Sequence, residues 1–294
     1  HQISGHMSYR SFTLLTAAAR RPEIWRLALG LLLAVVVTFG LAQVLLGLLL
    51  PLTGTDSLTV DDSPLGLLVL LLSMGAMAAG AAVSARLLHG RPFLSLIGPP
   101  GLALRQGLRV AVALALLSAA IALLPPWPLS ADLQPGLPPV TWLALLPLTL
   151  LALLVQTGSE EILFRGYLQS QLAARLPWPA VWLVLPSALF ALGHHAPAIY
   201  GANAGLVTLW AFVFGLAMAD LTARSGTLGP AIAFHFVNNF MAIGLIAPQG
   251  DMAGLALYLW PFDTGDTSAM RAMLLPDLMT LGLGWLAARL ALRV

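Results

Sequence analysis

The sequence predicts an all-α polytopic membrane protein, and three observations carry that prediction. Hydrophobic residues make up 59% of the 294-residue chain and charged residues only 9%, where a soluble domain needs about 25% charged residues to cover its surface. The mean hydropathy is +0.89. The apolar residues come in long unbroken runs rather than alternating, which favours a helical bundle over an outer-membrane barrel. The same composition narrows the chemistry. There is no cysteine, so disulfide frameworks and thiolate zinc sites are excluded. All fourteen basic residues are Arg, and no Arg cluster alternates with aromatics on a polar surface, so nucleic acid is not an expected partner.

A helix needs about 20 apolar residues to cross the hydrocarbon. Eight spans are predicted, at about 24–51, 65–88, 106–124, 140–160, 180–199, 204–223, 228–247 and 271–292, with the fourth continuing as helix to about 175. Breakers separate them: Pro-Leu-Thr-Gly at 51–54, Gly-Pro-Pro-Gly at 98–101, the Pro-rich stretch 125–139, and Leu176-Pro177. Pro92 to Leu104 is too short to cross and reads as an interfacial or loop piece. His1 to His6 reads as a cloning scar and Met7 as the native start. The first apolar run, Ile24 to Leu50, is longer than the apolar region of a cleavable signal peptide.

The arginines orient the spans. Arg10, Arg20, Arg21 and Arg26 precede the first; Arg86, Arg91, Arg105 and Arg109 surround the link between the second and third. Arg165 and Arg175 follow the fourth, Arg224 ends the sixth, and Arg289 and Arg293 end the eighth. The alternate loops hold Asp56, Asp61, Asp62, Asp132, Asp251, Asp263 and Asp266, with Arg271 alone among the basic residues. Cytoplasmic N- and C-termini put thirteen of the fourteen Arg on the inner side. The Arg- and Ala-rich composition points to a bacterial inner (plasma) membrane.

Ionisable groups inside a bilayer cost about 2.5–3.5 kcal/mol each on insertion scales and therefore mark function. Here they gather in three stretches: Glu160-Glu161-Ile-Leu-Phe-Arg165, Phe190-Ala-Leu-Gly-His194-His195, and His235-Phe-Val-Asn238-Asn239. Glu161 and Arg165 stand at i,i+4 with the acid first, the favourable order for an ion pair. Glu160 lies about 100° round the helix from Glu161 and faces elsewhere. His235 and Asn239 share a helix face, as do Phe190 and His194. Glu160 and His194 are each 17 residues from Pro177, so a helical hairpin brings them to one height. His235 lies about 10 Å into its span, which sets the site in the cytoplasmic half of the membrane, opening toward the cytoplasm. The remaining polar residues have structural readings. His195 bonds a backbone carbonyl at a helix end. Asn238 is packing glue between helices. Asp220 is interfacial, Asp277 begins or caps a helix after Pro276, and His89 sits in an Arg-rich loop.

EExxxR at 160–165, FxxxH at 190–194 and HxxxN at 235–239, on three separate helices and in this order, resemble the CPBP intramembrane proteases. That group includes the CAAX prenyl endopeptidases related to Rce1 and the bacterial Abi proteins. The Gly-containing sixth span and its Arg-Ser-Gly-Thr-Leu exit at 224–228 are also similar to the family. The resemblance implies a single transmembrane domain over 7–294 with a catalytic core at about 140–247. It implies an endopeptidase acting on a membrane-associated peptide or protein within the lipid bilayer. Glu160 and His194 would activate water, and His235 and Asn239 would stabilise the oxyanion. Glu161, Arg165 and Phe190 would support them. No cofactor is favoured. The alternative is a zinc enzyme with Glu160, His194 and His235 as ligands, against which HExxH is absent and neither His has a visible acidic partner. A non-proteolytic transporter or scaffold is the other alternative; no inverted repeat or matched pair of broken helices supports transport.

Overall fold

The computed structural model describes residues 7–21, 23–55, 62–124, 132–250 and 252–294. The scar at 1–6 and the loop acids Asp56, Asp61 and Asp251 lie outside the described residues. Eight helices make up the bundle: α1 (Ile24–Thr53), α2 (Pro64–His89), α3 (Pro100–Ala122), α4 (Pro139–Ala173), α5 (Pro179–Gly193), α6 (Pro197–Ser225), α7 (Gly229–Asn239) and α8 (Thr267–Leu292). Prolines at the first helical position open α2, α3, α4 and α5, where a missing N–H costs nothing and φ is preset.

Among the described residues, six of these helices are long and apolar enough to cross a membrane: α1, α2, α3, α4, α6 and α8. The all-α polytopic expectation holds at that level, while two of the eight expected spans are shorter than read. The span expected at 180–199 stops at Gly193 after 15 residues. Ala196, held extended by the following Pro197, cannot continue it. The span expected at 228–247 is α-helical for 11 residues, becomes π-helical over Phe240–Leu245, and then turns into strand at Ile246. Three short strands qualify the all-α reading: β1 (Gln134–Pro135), β2 (Ile246–Gln249) and β3 (Tyr258–Asp263), in the order β1-β3-β2. Helix α3 begins at Pro100, earlier than expected, so the end of the 92–104 piece is helical. The fourth helix does run on, to Ala173.

The helices alternate in direction and divide the molecule into two poles. Small residues let them approach closely, the usual source of packing where lipid competes for apolar contact. A Cβ on Gly229 would strike the backbone of Ala103, which fixes the start of α7 against α3. The sheet caps one pole, where Trp142 donates to the Gly244 carbonyl. The other pole collects arginines. Asp220 there accepts from Tyr9 at 2.8 Å, from Arg224 at 2.8 and 2.9 Å, and from Trp285 at 2.9 Å. It is thus a hub between the N-terminal segment, α6 and α8 rather than a bare interfacial acid. Burial and the Asp220 charge push the Tyr9 hydroxyl up to about 12. Arg91 is buried and donates to Ser170, to Ser95 and to the Leu15 carbonyl; its burial lowers it to about 10. His89 is not in a loop but ends α2, buried, 3.0 Å from the Tyr167 hydroxyl. Asp277 sits inside α8, ten residues beyond its start, and so neither begins nor caps a helix.

Removing the Asp220 charge strands three donors at once. Asp220→Ala is expected to lower the unfolding free energy by about 2–4 kcal/mol, read as a lower melting temperature in detergent. Trp285 fluorescence should respond to the lost contact.

Candidate active site

The site forms where α4 meets α7. Glu160 and Glu161 end the α-helical part of α4, and residues Ile162–Gln169 continue it as π-helix. A π-segment widens the turn and changes the direction in which the next side chains point, a feature concentrated at functional sites. Arg165 therefore reaches back to Glu161, 3.4 Å away, with both side chains fully buried. Its other arm donates to the Gly215 carbonyl at 3.0 Å. Gly215 is needed there: a Cβ would stand 3.0 Å from Ser187 on α5 and 3.2 Å from the guanidinium.

Glu161 also holds His235. The ring Nδ1 lies 2.8 Å from Glu161 Oε1, so Nδ1–H donates and Nε2 is turned toward Glu160, 3.8 Å from its Oε2. The acidic partner for His235 that was not visible in the sequence is thus Glu161. Glu160 is equally oriented. Gln156 Nε2 donates to its Oε1 at 2.8 Å, while Oε2 is buried without a hydrogen-bond partner. Gln156 in turn accepts from Asn239 Nδ2 at 2.9 Å. Two carboxylates and one guanidinium leave one negative charge in a dry place.

Aromatic rings wall the cluster. The Arg165 guanidinium lies 4.7 Å from the Phe190 ring centre and 5.8 Å from that of Phe164. Phe190 and Phe214 meet His235 edge-on, with centroids 6.0 and 4.9 Å away. Phe190 also packs against His194, with ring centroids 4.4 Å apart and the planes tilted by 40°. His194 is exposed, just beyond the end of α5, and Phe190 packs against it as well as against Arg165 and His235. Its Nδ1 donates to the Phe190 carbonyl at 2.8 Å, so Nε2 is the nitrogen left to accept. On the side of the Arg-rich pole, α4 is closed: Arg165 through Ala173 are all buried. Among the candidate site residues His194 is the exposed one.

The structure thus brings together Glu160, Glu161, Arg165, Phe190, His235 and Asn239, and sets His194 at the rim. Gln156 was missed in the sequence, although its i,i+4 spacing from Glu160 within an apolar run was the available signal. Among the described residues no group of three or more His, Asp or Glu side chains is placed to hold a metal ion. Two flanking residues also behave differently from expectation. His195 donates to the Thr208 hydroxyl at 2.9 Å instead of a carbonyl, since that hydroxyl itself donates to Ala204. Asn238 bonds its own neighbour Asn239 at 3.1 Å rather than another helix.

Glu161→Gln should be the most damaging conservative change in the cluster, because it leaves both Arg165 and His235 without their counter-charge. Breaking a buried pair costs about 3–5 kcal/mol. A large fall in melting temperature is expected, and an unchanged one would mean the pair is not formed.

Comparison with known proteins follows the same region. Residues 141–241 match the family model of Rce1-like type II CAAX prenyl endopeptidases. No curated protein and no solved structure matches the chain. The matched segment runs from the start of α4 to just past Asn239 and contains all three motifs together with the buried acid–imidazole cluster. Residues 141–241 are thus similar to the Rce1-like CAAX prenyl endopeptidases of the CPBP group, within a chain that has six helices long and apolar enough to cross a membrane among its described residues.

Proposed function

We propose that this chain is an intramembrane endopeptidase that hydrolyses a peptide bond of a membrane-associated peptide or protein, with Glu160 as the base. The observation that carries the role is Glu160 Oε2, a buried carboxylate oxygen without a partner, facing His235 Nε2 at 3.8 Å. Both groups are held from behind, by Gln156 and by Glu161. A base in a water-excluded site needs this kind of prior alignment to be efficient.

In this reading a water is taken in past His194, whose free Nε2 accepts one of its hydrogens. The water oxygen adds to the scissile carbonyl carbon as its other proton passes to Glu160. Negative charge moves to the carbonyl oxygen, where the Nε2–H of His235 and the second amide N–H of Asn239 stabilise it. Glu160 then returns the proton to the amine as the C–N bond breaks, giving one carboxylic acid and one amine. Preorganised donors of this kind are worth about 3–4 kcal/mol each. No metal takes part. The Arg-rich pole faces the cytoplasm of a bacterial inner membrane, and His235, about 9 Å from the start of α7, lies in the cytoplasmic half.

Proteomic comparison of membranes holding the parent or Glu160→Ala identifies the substrate. On a peptide so found, Glu160→Gln should abolish cleavage with the fold intact; activity within about tenfold of the parent would contradict the base assignment. Asn239→Ala should lower kcat by about 10²–10³ with little change in KM. About one zinc per chain in protein purified without a nickel column, lost in His235→Ala, would overturn the metal-free mechanism. Proton-coupled flux without cleavage would favour a transporter, and neither activity a scaffold.

The orientation has its own test, since the chain has no cysteine. Gln169 and Ser225 are buried and would report poorly, whereas Trp178 and Gly265 are exposed on opposite poles. Trp178→Cys should label only from the cytoplasmic side and Gly265→Cys only from outside. The reverse pattern would invert the topology.

A further inference from the structure

We propose that Gln156 is a positioning residue that senses the charge of Glu160 and turns Asn239 to match it, joining the basic and oxyanion sides of the site. The inference rests on the roles proposed above for Glu160 and Asn239, and it adds a residue that lies outside the three motifs.

The argument begins with donor and acceptor inventory. Gln156 lies one helical turn before Glu160 on α4 and is 5% exposed. Its amide stands between two partners: Glu160 Oε1 at 2.8 Å and the Asn239 side chain at 2.9 Å. An ionised carboxylate only accepts, so Gln156 must present its NH2 to Glu160. Its carbonyl oxygen then faces Asn239, and Asn239 must present its own NH2 in return. That leaves Asn239 Oδ1 turned to Asn238, whose amide donates to it at 3.1 Å. Three amides on two helices therefore point one way, and the carboxylate charge sets the direction. Reversing any of them would bring two acceptors or two donors face to face in a dry site, where unmatched polar groups are most costly.

Two consequences bear on the reaction. The donor on Oε1 leaves Oε2, the oxygen facing His235, as the one that takes up a proton. The acceptor toward Asn239 uses one of its two N–H groups and fixes the direction of the other. Gln156 touches neither water nor peptide in this account; it acts through Glu160 and Asn239.

Gln156→Met keeps the length of the side chain and removes both bonds. With a peptide that the parent cleaves in liposomes, this variant should lose about 10–100-fold in kcat with KM within about threefold. The double variant with Asn239→Ala should lose less than the product of the two single losses, because part of the Gln156 effect runs through Asn239. A structural role would instead lower melting temperature and leave kcat per folded molecule unchanged. The infrared carboxylate stretch of Glu160, assigned by difference against Glu160→Gln, needs no substrate. It should move in Gln156→Met, since a hydrogen bond to Oε1 is lost. An unmoved band, or multiplying effects of Gln156→Met and Asn239→Ala, would overturn the proposal. If the parent cleaves nothing while the band moves, the protease reading fails and the contact between Gln156 and Glu160 stands.

Discussion

Everything around the site depends on one fully buried carboxylate, Glu161. It faces the Arg165 guanidinium one turn below on its own helix and the His235 ring on the neighbouring one. Glu160 offers the ring only a longer contact, 3.8 Å from Nε2. Arg165 then reaches across to the backbone of α6 at Gly215. A single acid thereby ties together α4, α6 and α7, and sets the separation between His235 and Glu160. The price is rigidity, since none of these groups can leave without stranding the others.

Adjacent carboxylates consequently have different surroundings and different uses. Glu161 faces a guanidinium and an imidazole. Glu160, about 100° round the helix, has an amide on one oxygen and nothing bonded to the other. In the proposed function the first acid supports and the second is the base. The aromatic wall of Phe164, Phe190 and Phe214 keeps lipid and bulk water from the charged groups, which strengthens each interaction inside it. The early end of α5 exposes His194 and the irregular backbone after it, and irregular backbone at membrane depth is tolerated only when buried or lining a watery space. On α4, residues 165–173 are all buried.

Much of this was legible in the residues, because the membrane makes each ionisable group conspicuous. Glu161 with Arg165, and His235 with Asn239, follow from spacing along a single helix. Partners on different helices do not, since they depend on helix rotation, and the π-segment after Glu161 alters that rotation in a way no regular period reveals. Hence the contact between Glu161 and His235 was not readable, nor was the separation of His194 from the acids. Gln156 escaped notice because an uncharged amide in an apolar run looks like packing. One helix end fell short of its expected place: the span expected at 180–199 stops at Gly193, and the residue before Pro197 cannot hold the helix.

The central claim is that Glu161 fixes the His235 ring with Nδ1 protonated and Nε2 aimed at Glu160. Nitrogen-15 NMR of histidine-labelled protein in bilayers reads both ring nitrogens directly, with His235 assigned by its absence in His235→Gln. The account predicts a strongly hydrogen-bonded Nδ1–H in the parent that weakens in Glu161→Gln. A bare Nδ1 in the parent, or a signal indifferent to Glu161→Gln, would contradict it.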